Sequence, residues 1–84
     1  MSCIYDIIEM NFQESLSTVL RLARNRQKMK QVELAVAANV SRSFVSNIEN
    51  GQTSLSMNTF IKLCEGMDVD PREILDEALS RAER

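Results

Sequence analysis

The sequence predicts an all-α fold of five helices, and three observations carry that prediction. Only two glycines and one proline in 84 residues leave little of the turn chemistry that an all-β chain needs. Apolar residues recur at helical spacing in one segment after another. Residues suited to helix caps stand at the breaks between those segments: Asn39, Ser41, Ser56 and the pair Asp70-Pro71.

Residues 15–27 place Leu16, Val19, Leu20 and Ala23 on one face, with Ser15 as the N-cap of this first helix. Residues 31–38, "QVELAVAA", form a short alanine-rich second helix, closed by Asn39, which tolerates the left-handed conformation. Ser41 caps a third helix running to about Glu49, and Gly51 suits its C-terminal turn. The polar loop "QTSLS" leads to a fourth helix over 57–66, capped by Ser56, with Phe60, Leu63 and Cys64 inward. Met57 and Met67 are expected as core fillers. In "DPREILDEAL" Asp70 caps, Pro71 takes the first helical position and Glu73 completes a capping box. Ile74, Leu75, Ala78, Leu79 and Ala82 then form one apolar stripe. Before all of this, Ile4, Tyr5, Ile8 and Phe12 also share helical spacing, which allows an extra N-terminal element. Packing over the chain's own helices and packing across a dimer remain equally open for it. No repeat or low-complexity linker divides the chain, so residues 1–84 read as a single domain.

Composition excludes several classes of function. No apolar run is long enough to cross a membrane, and no bases precede the first apolar stretch as a secretory leader requires. Cys3 and Cys64 are far apart and do not form a disulfide framework; both are expected to be inert, and a reduced cytoplasmic setting fits. There is no histidine, no glycine-rich phosphate loop and no metal-ligand cluster, so neither catalysis, a cofactor nor a metal is expected. The carboxylates at 73, 76 and 77 read as capping and solubility residues.

The net charge of −2 hides a gradient. Residues 1–20 carry three acids and no base, for −3. Residues 21–50 carry six bases (Arg21, Arg24, Arg26, Lys28, Lys30 and Arg42) against Glu33 and Glu49, for +4. Residues 51–84 carry four bases and seven acids, for −3. Local charge decides where a polyanion settles, and the basic block surrounds one distinctive stretch.

That stretch is "NVSRSFVSNIENG", residues 39–51. On a helix beginning after Ser41, Phe44, Val45 and Ile48 face one way, while Arg42, Ser43, Ser46, Asn47 and Asn50 face the other. One guanidinium, two hydroxyls and two amides are side chains suited to base edges and phosphates. The preceding helix carries Ala35 and Ala38, small enough for two helices to cross closely at a tight turn. This is the signature of a helix-turn-helix whose second helix enters the major groove.

"QVELAVAANVSRSFVSNIENG" resembles the helix-turn-helix of the phage Cro/repressor (Cro/C1-type, XRE) regulators, at Gln31, Leu34, Ala35, Val40, Ser41, Arg42, Ser46, Ile48, Glu49 and Gly51. The likeness continues through "LSMNTFIKLCEGMDVDPREIL" and begins with "LRLARNRQKM". It covers residues 15–75, leaving 1–14 as an apolar N-terminal extension and 76–84 as an extension of the last helix. The resemblance implies a five-helix lambda-repressor-like domain. It also implies that Arg42, Ser43, Ser46 and Asn47 read base edges. Gln31 would grip a phosphate and brace the recognition helix, while Ser41, Asn50, Gln52 and Thr53 match backbone-contacting positions. Arg24 and Glu49 match a pair that forms an internal salt bridge in relatives. Relatives often have glycine and serine or threonine where this chain has Lys28 and Lys30, so the usual helix stop and N-cap are missing. Those lysines either add cations beside Gln31 or are simply solvated. The loop after Gly51 also lacks the bases that some relatives place there.

Together these readings point to a sequence-specific regulator of transcription that binds a palindromic double-stranded DNA operator as a homodimer. Ala78, Leu79 and Ala82 are the candidate dimer interface. An autoregulatory repressor of a phage or mobile element, or a restriction–modification controller protein, suits a stand-alone domain of this kind. The competing reading is an antitoxin-like module that holds a toxin protein. RNA polymerase is a further candidate partner, with no surface identified for it.

Overall fold

The computed structural model describes the backbone of residues 2–82 and the side chains of residues 12–82. It contains five helices: α1 (Ser2–Arg26), α2 (Gln31–Ala38), α3 (Arg42–Glu49), α4 (Met57–Met67) and α5 (Pro71–Ala82), with no strand among the described residues. No helix is long and apolar enough to cross a membrane.

The N-terminal extension is not a separate element. It is the first half of α1, which runs 25 residues without interruption. Nothing between residues 2 and 15 stops a helix, since that stretch has no glycine or proline. Ser15 is therefore not an N-cap but a buried mid-helix residue. Its hydroxyl donates a 2.6 Å hydrogen bond across to the Ala78 carbonyl of α5. Phe12 packs against the core from the same helix, whereas the environments of Cys3, Ile4, Tyr5 and Ile8 lie outside the described side chains.

The core collects one face from every helix: Val19, Leu20 and Ala23; Leu34, Ala35 and Ala38; Val45 and Ile48; Phe60, Leu63, Cys64 and Met67; and Ile74 and Ala78. Long α1 lies along α5, while short α2 packs on both α3 and α4. The α2–α4 crossing is close at Gly66, where even a Cβ would come within 3.2 Å of Ala37 and Leu34. Met57, expected inside, is 61 % exposed: it is the first residue of α4, and that helix enters the core at Phe60. Burial pushes the Cys64 thiol up to about 11, with nearby Asp70 adding to the shift, so this sulfur is an inert packing group.

Local signals set most helix ends. Ser41 Oγ accepts from Phe44 N at 3.0 Å and Ser56 Oγ from Thr59 N at 3.2 Å, so each caps the helix that follows. Asp70 Oδ1 accepts from Arg72 N at 2.9 Å, but Asp70 pairs with the Arg72 guanidinium, and the reciprocal Glu73 bond of a capping box does not form. Those Arg72 hydrogen bonds, side chain first, hold the Asp70 carboxyl below the usual carboxylate range. Asn39 closes α2 in the left-handed conformation (φ 58°), as its residue type predicts.

Lys28 adopts the same conformation (φ 57°) after α1, so the stop expected to be missing forms without glycine. Bonds from Lys28 N to Asn25 O and from Met29 N to Arg24 O close it. The missing N-cap of α2 is partly replaced: Lys30 offers no side-chain acceptor, but Glu33 Oε1 reaches back 2.7 Å to Lys30 N. With both ends held, the second helix keeps the boundaries its sequence suggests.

Candidate nucleic-acid interface

The site is built around one ion pair. Arg24 of α1 donates from Nε to Glu49 Oε2 at 2.7 Å and from Nη2 to Glu49 Oε1 at 3.0 Å, a two-bond fork between α1 and the end of α3. Its third nitrogen, Nη1, donates to the Met29 carbonyl at 2.7 Å and so holds the turn into α2. Gln31 Nε2 donates to Glu49 Oε1 at 3.1 Å. The carboxylate is 4 % exposed and the guanidinium 12 %, so the acid of the recognition helix is turned inward and neutralised. An acid left on the outer face would repel a polyanion; here it fastens the first turn of α2 and the last turn of α3 to α1.

With Glu49 inside and Val45 and Ile48 buried, the opposite face of α3 is open. Arg42, Ser43, Asn47 and Asn50 are exposed and Ser46 is half-buried. Asn50 Nδ2 donates to Ser46 Oγ across one helical turn at 3.5 Å. Ser41 is exposed at the N-terminus of the same helix, its oxygen engaged by Phe44 N. Lys28 and Lys30 are exposed beside half-buried Gln31, which anchors to Glu49 through its amide nitrogen and leaves its carbonyl oxygen unused. Gln52 is exposed, while Thr53 is half-buried and its carbonyl accepts from Gln13 Nε2 of α1 at 3.4 Å. The residues singled out as base-contacting and backbone-contacting thus lie along one continuous stretch, from the start of α2 to the loop after α3. Among the described residues no cluster of acids or cysteines is arranged to hold a metal ion.

The C-terminal stripe divides. Ala78 is completely buried against α1 and belongs to the monomer's own core, so it is withdrawn from the expected dimer interface. Leu79 is 50 % exposed and Ala82 half-buried. Sequence reading also missed Gln13 and Ser15, which tether α1 to the loop after α3 and to α5. The signal that could have found Ser15 is its place within an unbroken helical run from Phe12 to Leu20.

The HTH_3 helix-turn-helix family matches residues 20–74, which takes in all of α2, α3 and α4 with the end of α1 and the start of α5. The chain belongs to the helix-turn-helix family of Cro/C1-type (XRE) regulators. It is 28 % identical to control protein C.BamHI of Bacillus amyloliquefaciens over 58 residues, which cover 69 % of this chain and 72 % of that one. Among solved structures, the clp gene regulator ClgR from C. glutamicum superposes with a TM-score of 0.79 at 28 % identity, over 82 % of this chain and 90 % of that one. The restriction–modification controller protein C.AhdI from Aeromonas hydrophila gives 0.69 at 28 % identity, over 83 % and 97 %. This helix-turn-helix protein is a DNA-binding regulator related to controller proteins.

Proposed function

We propose that this regulator binds a palindromic or near-palindromic operator as a homodimer and controls transcription from beside its own gene, as a controller protein or autoregulatory repressor does. One observation carries the reading. The recognition helix buries Val45, Ile48 and its only acid and half-buries Phe44, while the opposite face, with Asn50 at its end, offers a guanidinium, hydroxyls and amides. Such groups discriminate base pairs by their donor and acceptor pattern in the major groove. Two α3 helices about 34 Å apart would enter successive major grooves on one side of the duplex. Half-exposed Leu79, beside Ala82 on α5, supports a second copy as the partner. The kinship with C.BamHI and C.AhdI favours a controller role.

The test is a titration against DNA from immediately upstream of the gene, with a shuffled duplex as control, at two salt concentrations. Binding by two chains per duplex, far tighter on the native fragment, is the expected result. Equal and weak binding to both would overturn sequence-specific recognition and direct attention to a protein partner.

A further inference from the structure

We infer that Arg21, on α1, is a DNA-phosphate contact that fixes the duplex against the C-terminal end of the recognition helix. The inference rests on the DNA-binding reading above and adds to it a site on a helix outside the helix-turn-helix. Arg21, Thr18, Ser17 and Glu14 of α1 face Glu49, Asn50 and Gly51 across a shallow open depression of about 260 Å³. Successive turns of α1 therefore run past the end of α3. At one turn Arg24 is consumed by Glu49. At the previous turn Arg21 is exposed and makes no ion pair or side-chain hydrogen bond among the described residues.

The neighbours of Arg21 define what it would take. The depression lies beside exposed Asn50, the last polar residue of the recognition face, and beside the turn at Gly51. Of the two acids lining it, Glu49 is already neutralised by Arg24. Glu14 remains, two turns before Arg21 on α1 and exposed to solvent. One side of the pair thus presents an unspent guanidinium with an amide and a hydroxyl next to it, a donor set that suits a phosphodiester oxygen. Gln31, the first residue of α2, reaches Glu49 as well, so the start of α2 lies at this same end of α3. A duplex lying along α3 would then be held through its backbone at the C-terminal end of the recognition helix, from α1 as well as from α2. Contacts of that kind set register and carry no sequence information.

Arg21→Ala should weaken binding by the same factor on operator and on shuffled duplex. The slope of log affinity against log salt should become shallower by about 0.9, so the wild-type advantage shrinks about 3.5-fold between 50 and 200 mM salt. Arg21→Lys should retain part of the affinity, and Glu14→Gln should tighten binding uniformly by removing the repelling neighbour. Lys62→Ala, on α4 across a depression from Ala37, Ala38 and Asn39, controls for the loss of one positive charge elsewhere on the protein. An unchanged Arg21→Ala variant, a loss confined to the operator, or an equal loss from Lys62→Ala would each overturn the assignment. A wild-type chain that binds neither duplex would overturn the DNA reading itself, and this contact with it.

Discussion

Arg24 and Glu49, 25 positions apart, form a two-bond ion pair that joins α1 to the recognition helix and, through Arg24 Nη1 on the Met29 carbonyl, to the turn before α2. Both groups are nearly out of solvent, so removing one strands the other. Glu49→Ala should lose about 3 kcal/mol of stability, at the lower edge of what breaking a buried pair costs because Arg24 keeps some access to water. Urea denaturation reads this directly. Replacing both residues with apolar ones, as in an Arg24→Met, Glu49→Leu double variant, should recover much of the lost stability. Equal instability in the single and double variants would mean that the pair acts by shape rather than charge.

Lys28 tests the turn between α1 and α2. A lysine at φ 57° carries the steric penalty of the left-handed region, from which glycine is free. Lys28→Gly should therefore stabilise the chain by about 0.5–1 kcal/mol, the strain relieved exceeding the added flexibility of the unfolded chain. Lys28→Ala keeps the Cβ and should give no such gain. The thermal midpoints of the two variants decide the matter.

Ser15 fixes α5. Its hydroxyl is buried and bonded to the Ala78 carbonyl at 2.6 Å, whereas Ser17 donates to Gln13 O within its own helix. Ser15→Ala should cost about 1 kcal/mol, the ordinary net value of an intramolecular hydrogen bond. Ser17→Ala should cost less, because Gln13 O keeps the partner its own helix gives it. Truncation after Leu75 should unfold the protein rather than simply release a monomer, since it removes Ala78 from the core together with the acceptor of Ser15. Equilibrium denaturation of all three variants would show the order.

What the sequence made legible was local. Ser41, Ser56 and Asn39 act within three or four residues of themselves, so the ends of α2, α3 and α4 could be read from residue type alone. The polar face of α3 was legible for the same reason, because helical phase separates Arg42 and Asn47 from Val45 and Ile48. Tertiary partners were not legible. Ser15 has the composition of a cap and became a cross-helix donor only because α1 extends back to Ser2. Ala78 and Leu79 are adjacent members of one stripe, yet α1 covers the first completely and leaves the second half open. Met57 has the right spacing for the core, but it opens α4, and the helix is buried only from Phe60 onward. At Lys28 the bonds of the turn outweigh a residue preference of 1–2 kcal/mol.

With Ala78 withdrawn, Leu79 is the larger of the two candidate interface residues left, beside Ala82, and burying such a side chain is worth about 1.5–3 kcal/mol. In the proposed homodimer, Leu79→Glu should raise the dissociation constant by about tenfold or more while the helical signal stays intact. Sedimentation across a concentration series checks this. An unaltered dimer would place the interface elsewhere on the surface.

Arg42 opens the exposed face of α3, one residue after its cap, and the proposed function has its guanidinium read a base edge in the major groove. It is exposed and makes no ion pair among the described residues, so its removal should leave the fold untouched. Arg42→Ala should cost about 1–3 kcal/mol on the operator and relax the preference at one base position, as expected for loss of a bidentate contact. Binding measured against a set of operators with every base at each position separates this from a backbone contact. A loss confined to one position identifies Arg42 as a reader of sequence. A uniform loss with a shallower salt dependence would instead put Arg42 on a phosphate, and the reading of bases would fall to Ser43, Ser46 and Asn47.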